Sequence, residues 1–454
     1  MSKVSIIGAG TWGIALANML CLSHHDVTVY SAIEDEIDFI EKYRKHPKLK
    51  DTKILDEIEL TKDLSMAVVG FEVIVMAVPS IYVRDTIRQV AKFLNKDQII
   101  VDVAKGIEPE RLLTMSEIIY EEIQQFIEFD YGHIVALSGP THAEEVSIGL
   151  PSTIVSASAD YMIAKRVQEI FTSSFMRVYT NNDIKGVELC GALKNIIALS
   201  AGIAHGLGYG DNATAALVTR GIHEISRLGV AMGCPIHTFY GLAGIGDLVV
   251  TCTSLHSRNN QCGIYIGKGY SVKEAIDKVG MVVEGINALD AAYALSIKYN
   301  VELPIIKAVY DTIKFNTKPE YAVRKLYERE SKSEMPFSIL ELMYENSSEK
   351  ETKRVIAFNT FDVMDYSCLQ FLKKAKSLGD YLIVVIKHQE QCDIDDKTRK
   401  SFIESLRFVD LVIEEESYKH RKDICKEYHI DICVKDKDDH DSYEDLKDIE
   451  IISL

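Results

Sequence analysis

Short, dense apolar runs separated by amphipathic stretches dominate the first 180 residues. Residues 3–7, 26–30, 71–78, 98–103 and 134–138 are strongly apolar and of strand length. That pattern suits strands buried on both faces of a parallel sheet. Between the first two, residues 14–22 carry apolar side chains at helical spacing. The alternation predicts a doubly wound parallel sheet of Rossmann type over residues 1–180. Beyond about residue 181 the strand signals stop. Residues 187–198 and 212–227 read as helices, and the last of this series ends near Arg329. An all-α domain over 181–330 is expected. Residues 331–352 are rich in Ser, Glu and Lys around a short apolar helix at 337–344, and read as a linker with a docking helix. From 353 to 454 the pattern changes again. A strand at 355–358, a helix at 367–378, a strand at 381–386 and a helix at 397–408 predict a second, small α/β domain.

The first strand runs directly into Gly8-Ala9-Gly10-Thr11-Trp12-Gly13 and then into a helix. In that context Gly8 serves the tight turn, Gly10 a close approach of pyrophosphate to the backbone, and Gly13 close packing of helix on strand. The free amides and dipole of the helix N-terminus favour the anion. Dinucleotide binding is therefore expected. The second strand ends in Tyr30-Ser31-Ala32-Ile33-Glu34-Asp35, a stretch with no Arg, Lys or His. An NADP-binding edge needs a cation for the extra phosphate, so this stretch points to NAD, with NADP the alternative. Two other strands deliver polar residues at their carboxyl ends, where open α/β sheets bind ligands. These are Ala104-Lys105-Gly106 and Gly139-Pro140-Thr141-His142-Ala143.

Net charge narrows the function. At −17 over 454 residues the chain lacks the basic face that a nucleic-acid surface requires. A phosphorylated ligand must then be held by local cations working against the global field. The nine cysteines include no CxxC pair, which favours reduced thiols over a disulfide framework. No metal-ligand spacing stands out, and the acid-rich stretch 436–450 reads as solvated surface. No run approaches the length of a membrane span, and the N-terminus lacks the form of a signal peptide, so a cytoplasmic protein is expected.

In the helical half, Lys194 and Asn195 are embedded in a small, apolar run, where a lysine is costly unless it is paired or lines a cavity. Arg220 and Glu224 stand four residues apart on the next helix. Gly241-Leu242-Ala243-Gly244-Ile245-Gly246-Asp247 places an acid near a helix start, and Ser257-Arg258-Asn259 and Val282-Val283-Glu284-Gly285 follow.

Taken in order, GAGTWG, AVPS, AKG, SGPTHAEE, GALKN, GLAGIGDLVVTCTSLHSRN and VVEG resemble the bacterial NAD(P)-dependent glycerol-3-phosphate dehydrogenases, over residues 1 to about 330. The resemblance implies reversible conversion of dihydroxyacetone phosphate to sn-glycerol 3-phosphate, a helical substrate domain and a homodimer. It gives Lys194 as general acid and base, with Lys105 and Asp247 beside it. It implies that Lys105, Gly139, Thr141, Asn195, Asp247, Thr251, Ser257, Arg258 and Asn259 contact substrate, Arg258 taking its phosphate. It places Gly8, Gly10, Thr11, Trp12, Gly13, Lys105, Ala143, Arg258, Val282 and Glu284 around the cofactor. Two ammonium groups near each other lower one another's pKa, which suits a lysine acting in both directions. A dehydrogenase for another small hydroxy or keto compound is the nearest rival, and a non-catalytic scaffold is the most remote.

Residues 353–450 resemble the glycerol-3-phosphate cytidylyltransferases. Thr360-Phe361-Asp362, Ala375-Lys376-Ser377-Leu378-Gly379-Asp380-Tyr381-Leu382-Ile383-Val384 and Arg407-Phe408-Val409-Asp410 carry the likeness. That family follows TFD with a His-x-Gly-His element contacting nucleotide phosphates. Here Asp365-Tyr366-Ser367-Cys368 stands in its place. An aspartate there would repel a triphosphate, so a catalytically dead domain that packs or docks a partner is expected. The alternative is a bifunctional dehydrogenase and cytidylyltransferase making CDP-glycerol.

Overall fold

The computed structural model describes residues 1–254, 256–329, 353–361, 365–387, 394–406, 408–414, 421–437, 443, 446 and 449–454. It divides into two compact units, Met1–Arg329 and Glu330–Leu454. Residues 331–352, with the helix expected at 337–344, lie outside the described residues.

The first unit is built on an eight-stranded sheet. Its strands are β1 (Lys3–Ile7), β2 (Asp26–Tyr30), β3 (Glu59–Thr61), β4 (Val73–Met76), β5 (Ile99–Asp102), β6 (Ile134–Ser138), β7 (Ser152–Ala157) and β8 (Met176–Asn181). Their spatial order is β8-β7-β6-β5-β4-β1-β2-β3. The order reverses beside β1, so a crevice opens at the carboxyl ends of β1 and β4. Alternation along the strands divides the core in two. Val4, Ile6, Val73 and Val75 pack on one face, while Ile7, Ile74 and Met76 pack on the other.

The sheet is parallel except where β6 meets β7, which pair antiparallel with Ala136 opposite Ala157. Between them the chain forms only the five-residue helix Ala143–Ser147, too little to carry it across the sheet face to a parallel start. Two strand runs expected at 71–78 and 98–103 are shorter, at Val73–Met76 and Ile99–Asp102; at their carboxyl ends the chain turns into the ligand-facing loops.

Helix α1 (Thr11–Leu22) follows the glycine turn and α2 (Glu34–Tyr43) follows β2. The helical half is organised around α3 (Ile184–Gly206), joined by α4 (Asp211–Ala231), α5 (Asp247–Thr253), α6 (Arg258–Gly267) and α7 (Pro304–Phe315). By length and composition α3 could cross a membrane, yet 94% of its apolar window is buried inside the protein. Its apolar surround explains this, since Leu189, Leu193, Ile196, Ile197 and Leu199 are core on several sides. Glu224 on α4 feels the charge of Arg220, but its hydrogen bonds are made elsewhere. Its carboxylate accepts from the backbone amides of Ile305 and Ile306, closing the N-terminus of α7.

The second unit holds a parallel five-stranded sheet, β9 (Arg354–Asn359), β10 (Tyr381–Ile386), β11 (Leu411–Glu414), β12 (Ile432–Lys435) and β13 (Glu450–Ser453), in the order β11-β10-β9-β12-β13. Helix α8 (Tyr366–Ser377) follows β9. The βαβα core expected from the sequence is therefore widened by β11, β12 and β13.

Candidate active site

The nucleotide turn is set by sterics. Gly8 has φ of 123°, a left-handed conformation that side chains resist, and a Cβ there would stand 2.5 Å from the Ala77 carbonyl oxygen. A Cβ on Gly13 would stand 2.2 Å from the Gly8 carbonyl oxygen. By contrast, among the described residues nothing lies within 4 Å of a Cβ position on Gly10, and no side chain caps α1. Open backbone beneath uncapped amides is the shape a pyrophosphate needs. Thr11 and Trp12 form the first turn above it. Gly8 N donates to the Tyr30 carbonyl at 2.8 Å, which ties the end of β2 to the turn.

That edge holds a cation that the local sequence does not reveal. No cation occurs in residues 30–35, but β3 pairs parallel with β2 in the register Tyr30 to Thr61. Lys62 is thereby set next to Ser31. Its Nζ lies 2.6 Å from Asp38 and 3.7 Å from Glu34. The Ser31 hydroxyl is itself engaged, donating to Glu36 at 2.6 Å.

On the other side of the crevice, two lysines converge on one carboxylate. Asp247 is fully buried as the first residue of α5, reached through a π-helical turn at Leu242–Gly246. Gly246 N donates to the Gly241 carbonyl at 3.2 Å, which widens that turn. Lys194 donates to one Asp247 oxygen and, at 2.7 Å, to the Thr251 hydroxyl. Lys105, arriving from the end of β5, donates to the other Asp247 oxygen at 2.8 Å. Burial pushes the Lys194 ammonium down to about 7; Asp247 opposes that shift and Lys105 adds to it. Burial alone would raise the Asp247 carboxyl, but the two lysines outweigh it and hold the group below its usual range. The centre therefore carries one net positive charge while Lys194 is protonated and none once Lys194 has lost its proton, near 7.

The remaining residues form a scaffold around this triad. Asn195 donates to the Gly191 carbonyl at 3.1 Å and accepts from Asn259 at 3.0 Å. Asn259 in turn accepts from Gly285 N at 2.8 Å. Ser257 caps α6 through Asn260 N, and Arg258 follows, exposed, with its guanidinium 3.5 Å from the Val282 carbonyl. Gly139 passes so close to β7 that a Cβ would stand 2.9 Å from Ile154 Cα. The Thr141 hydroxyl donates back to the Gly139 carbonyl at 3.3 Å, and Ala143 opens the next helix against the α1 side of the core. Glu284 accepts from Ser80 N at 3.1 Å and from the Ser80 hydroxyl at 2.6 Å. Every named residue is thus within this one unit, distributed between the glycine turn and the Lys194 helix.

Three features escaped the sequence reading. Gly202 and Gly206 on α3 face Gly263 and Gly267 on α6, a small-xxx-small repeat on each helix that could have been read. A Cβ on Gly202 would stand 2.0 Å from the Asn260 carbonyl oxygen, so the helix bearing Arg258 and Asn259 touches the Lys194 helix backbone to backbone. Ser80 left no local signal of its bond to Glu284. His142 has a buried Nε2 without a hydrogen-bond partner among the described residues, and its ring lies 6.0 Å from that of His256. Burial, and then the Lys194 charge, hold that imidazole below its ordinary pKa.

In the second unit, Asp365 caps α8. Its carboxylate accepts from the Ser367 amide at 2.9 Å, the Cys368 amide at 3.0 Å and the Ser367 hydroxyl. The hydroxyl bond, with the Cys368 amide next, keeps the carboxyl below its usual range. Asp362 and Arg407 lie outside the described residues.

A glycine turn at a Rossmann switch point, with a buried lysine-carboxylate centre on a helical domain, defines a nicotinamide-dependent dehydrogenase of two domains. Family models agree. The N-terminal model of NAD-dependent glycerol-3-phosphate dehydrogenase matches residues 3–164 and its C-terminal model residues 183–324. A glycerol-3-phosphate dehydrogenase [NAD(P)+] of Lactobacillus delbrueckii subsp. bulgaricus is 53% identical over 335 residues, covering 74% of this chain and 99% of the relative. One of Bacillus subtilis is 47% identical over 336 residues, covering 74% and 96%. A crystal structure of glycerol-3-phosphate dehydrogenase from Coxiella burnetii superposes with a TM-score of 0.69 at 33% identity, covering 72% of this chain and 99% of that one. The chain belongs to the NAD-dependent glycerol-3-phosphate dehydrogenase family. Residues 356–453 match a cytidylyltransferase-like model as well.

Proposed function

We propose that residues 1–329 catalyse reversible hydride transfer between NAD(P)H and dihydroxyacetone phosphate, giving sn-glycerol 3-phosphate. The observation that carries this reading is the buried Lys194–Asp247–Lys105 centre. A nicotinamide dinucleotide held on the 8–13 turn would supply or accept the hydride. Lys194, titrating near 7, gives a proton to the carbonyl oxygen in reduction and takes it from the hydroxyl in oxidation. Lys105 places a second positive charge where the alkoxide develops, and Asp247 holds both ammonium groups in register. Arg258, exposed and flanked by the buried Ser257 and Asn259, suits the substrate phosphate as a planar fork of donors. By the family resemblance, Glu284 and Val282 would serve the nicotinamide side of the cofactor.

We infer a cytoplasmic homodimer, on the strength of the family resemblance. Residues 353–454 are read as a cytidylyltransferase-like domain that no longer transfers nucleotides and that docks or packs instead. Support comes from Asp365, whose carboxylate already takes the amides at the start of α8 and would repel phosphate.

Oxidation of NADH and of NADPH with dihydroxyacetone phosphate tests the main reading. Turnover is expected with that substrate and not with hydroxyacetone, which lacks the phosphate. No turnover with either cofactor would sink it.

A further inference from the structure

The ribose edge of the nucleotide site carries an unassigned cation with two competing anions. In this fold the adenosine ribose lies beyond the carboxyl end of the second strand. Here that end is Tyr30-Ser31, and β3 runs beside it in parallel register, Tyr30 opposite Thr61. Neighbouring strands are about 4.8 Å apart, so Lys62 emerges one residue later next to Ser31. Its ammonium is 2.6 Å from Asp38 and 3.7 Å from Glu34, both on α2, and all three side chains are solvent-accessible. The Ser31 hydroxyl is turned toward Glu36. One cation facing two carboxylates gives a net negative edge, which repels a 2′-phosphate carrying close to two negative charges. A lysine is nonetheless an effective point charge for phosphate, and an exposed one can exchange partners.

We propose that Lys62 sets the choice between NADP(H) and NAD(H): it contacts the 2′-phosphate when that group is present, and Glu34 and Asp38 hold it back when it is absent. This rests on the dinucleotide reading given above. The ribose hydroxyls of NAD make no demand on Lys62, so its effect falls on one cofactor alone.

Trp12 is the single tryptophan of the chain and stands in the first turn of α1, so its fluorescence reports occupancy of the glycine turn. Kd for NADH and for NADPH is measured this way on the full chain. The proteins are the wild type, Lys62→Ala, and a double variant carrying Glu34→Gln and Asp38→Asn. Lys62→Ala should weaken NADPH about tenfold, the worth of one charge-assisted contact, and leave NADH within about twofold. The double variant, which frees Lys62, should tighten NADPH by a similar factor and create measurable binding if the wild type has none. Lys62→Arg should retain the wild-type ratio. A ratio of the two Kd values that is the same in wild type, Lys62→Ala and the double variant overturns the proposal while leaving the dehydrogenase intact. Failure of both nucleotides to bind the wild-type chain removes the dinucleotide reading, and this proposal with it.

Discussion

Lys194 concentrates the chemistry because its environment, not its residue type, fixes its proton affinity. Burial disfavours the ammonium, Lys105 repels it and Asp247 restores part of its charge, leaving the group near 7. The sign of the pH dependence follows. Reduction of dihydroxyacetone phosphate needs protonated Lys194, present below that value, so its rate should fall as pH rises through about 7. Oxidation of glycerol 3-phosphate needs the neutral amine and should rise over the same interval. Initial rates in both directions from pH 5.5 to 9 check this, and parallel profiles would remove Lys194 from proton transfer. Lys194→Ala should lower kcat by about 10²–10⁴ while NADH still quenches Trp12 fluorescence. Near-normal turnover would count against its role.

At the scale of elements, the site depends on how closely α3 and α6 cross and on what links the Rossmann half to the helical half. A Cβ on Gly263 would stand 2.2 Å from the Leu199 carbonyl oxygen and 2.8 Å from Ile203 N, both backbone atoms that cannot turn aside. Gly263→Ala should therefore cost about 1–3 kcal/mol or more, lower Tm by about 1.5–4 °C or more, and raise the KM for dihydroxyacetone phosphate as Asn259 moves from Asn195. Unchanged Tm and KM would show that the crossing tolerates a methyl group. Ser80 links the two halves through two bonds to the Glu284 carboxylate. Ser80→Ala removes the hydroxyl bond and leaves the amide. A hydrogen bond to a charged group contributes about 1.5–3 kcal/mol, less where water reaches it. The KM for NADH should rise by about three- to tenfold with kcat nearly constant, and Ser80→Thr should restore it. An unaltered KM would leave Ser80 a turn residue only.

For the molecule as a whole, the question is what a second α/β unit adds to a complete dehydrogenase. The relatives that match over 335 residues are themselves covered almost entirely, so residues 330–454 are an addition to that body. Its central strand β9 opens onto α8, where a nucleotide's phosphates would be received in a doubly wound sheet. Asp365 meets those amides from within the chain. Titration of the full chain with CTP should show no saturable binding in the micromolar range, followed by calorimetry with NADH as the control for a competent protein. Saturable CTP binding would revive the bifunctional alternative.

Much of this architecture is legible in the sequence because it is local. Residues 3–13 write strand, glycine turn and helix in consecutive letters, and the apolar runs at 26–30, 134–138 and 381–386 match the observed strands. Lys194 stands out because an ammonium in an apolar helix demands a partner. What the sequence could not give is which remote partners meet. Ser80 and Glu284 are 204 residues apart, and Lys62 reaches the ribose edge only because β3 adds to the sheet beside β2. The antiparallel turn-back at β7 and the backbone contact of α3 with α6 belong to the same class. Periodicity and turn chemistry act over a few residues and determine elements. Strand order and helix packing act between elements, and they alone decided the charge facing each ligand.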